Sequence, residues 1–166
     1  MFSIQTILHP TDFSQPSYGA LRFACSLASD YNASLVIVHV ANAPVVLGTE
    51  LVIPGTEDCQ EKLEEELHRM QVPDNRIGVI RRLVEGSPAT EILRVAQLSC
   101  ADLIVMGTHG RRGLNRLLMG SVAEEVVRKA TCPVLTVRMP HVGNMAGGHG
   151  YQAKYVSSSA KPGLRV

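Results

Sequence analysis

No apolar run in the 166-residue sequence reaches the roughly 20 residues that a bilayer-spanning helix needs, so no membrane partner is expected. Met1 to Gln5 carries no basic residue, and Asp12 arrives before an apolar signal core could form. No export signal is therefore expected, and the cytoplasm is the expected location. Excess charge of one sign is missing too: the formal net charge of +1 lacks the basic surplus of a nucleic-acid binder, so no nucleic-acid partner is expected. Cys25, Cys59, Cys100 and Cys132 are scattered, with no CxxC pair and no His cluster at zinc spacing. That excludes the usual zinc and disulfide frameworks and leaves reduced, mostly buried thiols as the expectation. Neither the P-loop GxxxxGK[ST] nor the dinucleotide fingerprint GxGxxG occurs, and there is no internal repeat.

What is present is a chain of single-domain length, 45% hydrophobic, able to bury roughly two-thirds of the surface its unfolded form exposes. Apolar runs and helical patterns alternate along it. Ser3 to His9 reads as a buried strand, and Pro10-Thr-Asp-Phe-Ser14 as a turn in which Asp12 or Ser14 caps a helix. Ala20, Leu21, Phe23, Ala24, Leu27 and Ala28 recur at spacings of three and four, so that helix has one apolar face and ends near Tyr31-Asn32. Ser34 to Val40 is apolar without alternation, the pattern of a strand buried on both faces in a parallel sheet.

The pattern lapses in a loop over residues 41–56, then an acidic helix runs from Glu57 to Met70. Ile77 to Val84 is a third strand, Ser87 and Pro88 are N-cap and N1 of a third helix, and Ala101 to Met106 is a fourth strand. Ser121-Val-Ala-Glu124 reads as a capping box opening a fourth helix to Ala130, and Val134 to Val137 as a fifth strand. This order predicts an α/β fold, a three-layer sandwich around a five-stranded, mainly parallel sheet of Rossmann-like type. Residues 1–138 form the expected domain, and residues 139–166, rich in Gly and Ser, a flexible tail.

Ligands of such sheets bind beyond the carboxyl ends of the strands, where the winding reverses. That selects the turn at Pro10 to Ser14, the exit at His39 to Ala43, and the glycine loop that follows Met106. Gly107, Gly110 and Gly120 let backbone amides converge, and a helix opening at Ser121 offers an anion the positive end of its dipole. Arg111, Arg112 and Arg116 add charge nearby, and the competing reading is a plain turn with Ser121 as a cap.

The spacing G-x2-G-x9-G-[ST] resembles the nucleotide-binding signature of the universal stress protein family, in members that bind ATP. The resemblance extends over about residues 2–138, through Pro10-Thr-Asp12, Val-His39-Val40, the glycine motif and Cys-Pro133-Val-Leu-Thr-Val137. It implies that Gly107 and Gly110 line the phosphate and ribose side of ATP, while Gly120, Ser121 and Val122 hold the terminal phosphates. It places Asp12 near ribose and phosphates, directly or through Mg2+ (or Mn2+). Val40 would offer backbone groups to adenine, and Pro10 and Thr11 would shape the adenine pocket. His9, His39 and His109 lie near this site, and none is given a catalytic role.

The resemblance also implies a homodimer along the fifth strand, Val134, Leu135, Thr136 and Val137, whose apolar residues would occupy a sheet edge. The competing arrangement has the tail folding back over that edge. Three functions follow: an ATP-binding regulatory or stress-response protein, a slow ATPase or self-phosphorylating enzyme, and a nucleotide-free dimerisation module. The first leads, because no Walker lysine or catalytic-loop signature supplies phosphoryl transfer and the glycine motif is intact.

Overall fold

A computed structural model describes residues 3–41, 45–47, 50–52, 57–108, 119–138 and 152–156. Strand β1 (Thr6–Thr11) leads through α1 (Gln15–Tyr31) to β2 (Ser34–Ala41). A hairpin of β3 (Val45–Leu47) and β4 (Glu50–Val52) precedes α2 (Glu57–Arg69), β5 (Val79–Glu85), α3 (Pro88–Leu98) and β6 (Leu103–Gly107). Helix α4 (Ser121–Lys129), β7 (Val134–Arg138) and β8 (Gln152–Val156) complete the order. The main sheet runs β5-β2-β1-β6-β7-β8; its first five strands are parallel, and β8 pairs antiparallel to β7.

Each face of this sheet has its own core, because successive side chains of a buried strand point to opposite sides. Ile7, Leu35, Ile37, Val105, Leu135 and Val137 pack with Ala20, Ala24 and Ala28 of α1, with Leu67 of α2 and with Met70 just beyond it. Leu8, Val36, Val38, Ile104 and Val134 pack with Ile92 and Val95 of α3 and Val126 of α4. The apolar stripe of α1 and the unbroken run of β2 therefore do what their spacing predicts. The C-terminus of α2 is tied to β5 by Arg81, whose guanidinium donates to the carbonyls of Leu67 (3.1 Å) and Met70 (2.8 Å).

Five expectations change. The thiols are not mostly buried: Cys25 is, whereas Cys59 and Cys100 are exposed. Pro10 and Thr11 belong to β1, not to the turn, because the strand stays paired with β2 through Pro10↔Val38 and Thr11↔His39. Residues 41–56 contain the β3–β4 hairpin, with Val45 opposite Val52. The N-cap of α4 is Gly120 and not Ser121: Glu124 N–H donates to the Gly120 carbonyl, and among the described residues no side chain caps the helix. Residues Val134 to Val137 do not form a free edge, since Val134↔Val156 through Arg138↔Gln152 places β8 along the whole of β7. Of the expected tail, residues 152–156 thus lie beside β7 as the last strand of the main sheet.

Candidate functional site

The winding reverses between β1 and β6: β2 and β5 lie to one side of this pair, β7 and β8 to the other. The carboxyl ends of β1, β2 and β6 bring Pro10, Thr11, Asp12, Val40 and Gly107 to one end of the sheet. Gly120, Ser121 and Val122 join them because the Gly120 N–H donates to the Thr108 carbonyl (2.8 Å) and Thr108 N–H donates to Val137 (3.2 Å). The mouth of α4 is thereby fixed to the exit of β6. Gly110 and His109, with Arg111, Arg112 and Arg116, lie outside the described residues.

The turn after β1 is held by short polar contacts. Asp12 Oδ1 accepts from the Ser14 amide (3.1 Å) and hydroxyl (2.5 Å), and Ser14 in turn caps α1 by accepting from the Ser17 amide (3.4 Å). Thr11 Oγ1 accepts from the Phe13 amide (3.1 Å) and the Ser17 hydroxyl (2.9 Å). Between them Phe13 adopts φ 61°, a left-handed conformation costing a residue with a Cβ about 1 kcal/mol. Its ring lies 4.3 Å from that of His39, whose Nδ1 donates to the Thr11 carbonyl (2.8 Å). Sequence reasoning missed Phe13 and His39 as the pair that clamps the ends of β1 and β2; a bulky residue after Pro-Thr-Asp was the available signal.

Gly120 has φ −61° and ψ 147°, and Gly107 is not at positive φ, so neither backbone requires glycine. What glycine supplies at both is the absence of a side chain. Beside them the Ser121, Val122 and Ala123 amides sit in the first turn of α4, where no intrahelical acceptor exists. Glycine backbone beside such a helix mouth suits an anion. Among the described residues, no group of three His, Cys, Asp or Glu side chains could hold a metal by itself.

His9 is fully buried in β1, and its Nδ1 donates to the Val105 carbonyl of β6 (2.9 Å). Burial lowers its pKa from 6.5 to about 4, partly opposed by that hydrogen bond and by Asp12, so the ring is neutral at physiological pH. Burial pushes the thiols of Cys25 and Cys132 upward. No helix among the described residues is long and apolar enough to cross a membrane.

The Universal stress protein family model matches residues 3–138. A universal stress protein of Methanocaldococcus jannaschii is 37% identical over 142 residues, covering 81% of this chain and 82% of the relative. The crystal structure of a universal stress protein family member from Burkholderia pseudomallei superimposes with a TM-score of 0.64 at 34% identity, covering 80% of this chain and 95% of that one. A universal stress protein crystallised in complex with cAMP gives a TM-score of 0.61 at 28% identity, covering 82% and 98%. A family match along almost the whole parallel sheet, with its glycines at the winding reversal, establishes that this chain belongs to the universal stress protein family.

Proposed function

We propose that the chain binds ATP at the carboxyl ends of β1, β2 and β6 and works as a nucleotide-dependent regulatory protein. The observation that carries this reading is the pair Gly107 and Gly120: two glycines with ordinary backbone angles, joined through Thr108, beside the first-turn amides of α4. The relative crystallised with cAMP supports an adenine nucleotide as the ligand class. In this reading Gly120, Ser121 and Val122 receive the terminal phosphates, and Gly107 and Gly110 flank them. Pro10, Thr11 and the backbone of Val40 meet the base, and Asp12 faces the ribose and phosphates.

A magnesium or manganese ion would enter with the nucleotide. A hard cation keeps several waters and shares phosphate oxygens with few protein carboxylates, which fits the single carboxylate of Asp12. A homodimer along β7 belongs to the same reading, and it requires β8 to leave that strand.

Calorimetric titration with ATP, ADP and AMP, each with and without magnesium, tests the proposal. Gly120→Val should weaken ATP at least ~10-fold by placing a side chain at the helix mouth, with the circular dichroism spectrum unchanged. Equal affinity in wild type and variant would remove the glycines from the site.

A further inference from the structure

The backbone hydrogen bonds around β1 fix which way each of its residues faces. Ser34 N–H donates to Gln5 (2.8 Å) and Asp102 N–H to Thr6 (2.9 Å). Alternation along the strand then turns Ile7, His9 and Thr11 toward β2, and Leu8 and Pro10 toward β6. In β6, Ile104 N–H donates to Pro133 (3.0 Å) and Thr108 N–H to Val137 (3.2 Å), so Val105 faces β1. The next rung of the β1–β6 ladder beyond Leu8↔Ile104 would be donated by the amide of residue 10 to the Val105 carbonyl. Proline has no amide hydrogen, and the ladder stops at Leu8↔Ile104.

A Val105 carbonyl left unpaired in this core would carry a desolvation penalty. Val105 is fully buried, and it is here that the Nδ1 of His9 arrives, 2.9 Å from the carbonyl oxygen. A carbonyl only accepts, so the proton is on Nδ1 and Nε2 bears the lone pair. That Nε2 is buried and has no partner among the described residues. The ring therefore occupies an apolar core at a polar cost that an aliphatic side chain would avoid, and among the described residues its hydrogen-bond partner is Val105.

We propose that His9 is a positioning residue: its imidazole replaces the ladder hydrogen bond removed by Pro10, so that β1 and β6 separate above Leu8 with the Val105 carbonyl still satisfied. The pair His9-Pro10 is then the device that ends the zipper between the two central strands and opens the crevice at the winding reversal. The role in ligand binding rests on the nucleotide reading above; the hydrogen-bond replacement does not.

The test uses the full chain with His9→Leu, His9→Asn, Pro10→Ala and the His9→Leu/Pro10→Ala double variant. In wild type, imidazole 15N shifts should show Nδ1 protonated and Nε2 bare near neutral pH. His9→Leu should lower the thermal midpoint by roughly 5 °C, and His9→Asn, whose amide can donate from near the Nδ1 position, should recover part of that loss. Pro10→Ala should rescue the midpoint of His9→Leu, because the substitution restores the missing backbone amide, and that amide should be protected from hydrogen exchange. With the ladder extended by one rung, the double variant should bind Mg-ATP about tenfold more weakly than wild type despite its restored stability.

A protonated Nε2 in wild type, or additive effects of the two substitutions, would overturn the replacement. Should His9→Leu fail to fold, a folded double variant still supports it and an unfolded one refutes it. Restored stability with undiminished Mg-ATP affinity would refute the opening of the crevice. Absence of ATP binding in wild type would sink the nucleotide reading and, with it, the ligand role of His9, while the tautomer and the double-variant cycle still decide the hydrogen bond.

Discussion

The covering of β7 by β8 can be tested one amide at a time. Pro133 and Val137 accept from β6, so the backbone of Leu135 also faces β6, while Val134, Thr136 and Arg138 face β8. In the register Thr136↔Lys154 the two residues therefore exchange both hydrogen bonds, whereas the amide of Ala153, opposite Val137, points away from β7. Lys154→Pro deletes the donor to the Thr136 carbonyl, at a cost of about 1–3 kcal/mol, and proline within a paired strand adds to it. Ala153→Pro removes no ladder bond.

Taking about 2 kcal/mol, opening of β8 should rise ~30-fold in Lys154→Pro. Hydrogen exchange read by NMR should accelerate at the Thr136 amide and leave Leu135 and Val137, which face β6, slow. An uncovered β7 is a template for a second copy, so sedimentation velocity should show concentration-dependent dimer in Lys154→Pro and less in Ala153→Pro. The same exchange rates in both proline variants, or acceleration at Leu135 as much as at Thr136, would refute the facing derived for β7.

Two further outcomes follow from the site. His9 takes a proton near 6.5 when unfolded but only at about 4 when folded, so the unfolded state binds more protons between these values and stability falls as the pH drops through that window. Between about pH 7 and about pH 5 the loss from this residue is ~2 kcal/mol; urea denaturation should show it in wild type and not in His9→Asn, and parallel profiles would contradict it. Asp12→Asn keeps an oxygen for the Ser14 amide and hydroxyl but loses the charge, so it should reduce the magnesium dependence of ATP binding more than binding without metal. Equal losses under both conditions would assign Asp12 to the turn alone.

The elements that were legible in the sequence are those whose burial leaves a period. β2 is buried on both faces and shows it as Leu35 to Val38 without interruption, and α1 shows its face in Ala20, Ala24 and Ala28. Pro10 was misplaced because proline signals a turn, and only the direction its nitrogen faces makes it compatible with β1. The cap of α4 slid by one residue because the bond from Gly120 to Thr108 sets where the helix starts, a tertiary constraint absent from the Ser121–Glu124 pattern. β8 escaped notice because Gln152-Ala-Lys-Tyr-Val156 has no continuous apolar stretch; its strand state comes from the ladder offered by β7. Of the candidate site, the glycines stand out in the sequence as a spacing, while the Phe13–His39 contact and the His9–Val105 bond depend on strands that meet only in three dimensions.

The placement of α1 also bears on how the molecule is made. Its apolar face rests on β6 and β7 as well as β1, and the Asp102 carboxylate accepts the amides of Gln5 (2.8 Å) and Thr6 (3.0 Å) at the entrance to β1. A helix finished by Tyr31 thus waits for partners more than 70 residues further along the chain. On a translating ribosome, at about 5–20 residues per second, the first half of the molecule would spend several seconds with that face exposed to water. The nascent chain should become resistant to proteases only once Arg138 has cleared the exit tunnel, and until then the stripe of α1 is a surface that a chaperone can hold.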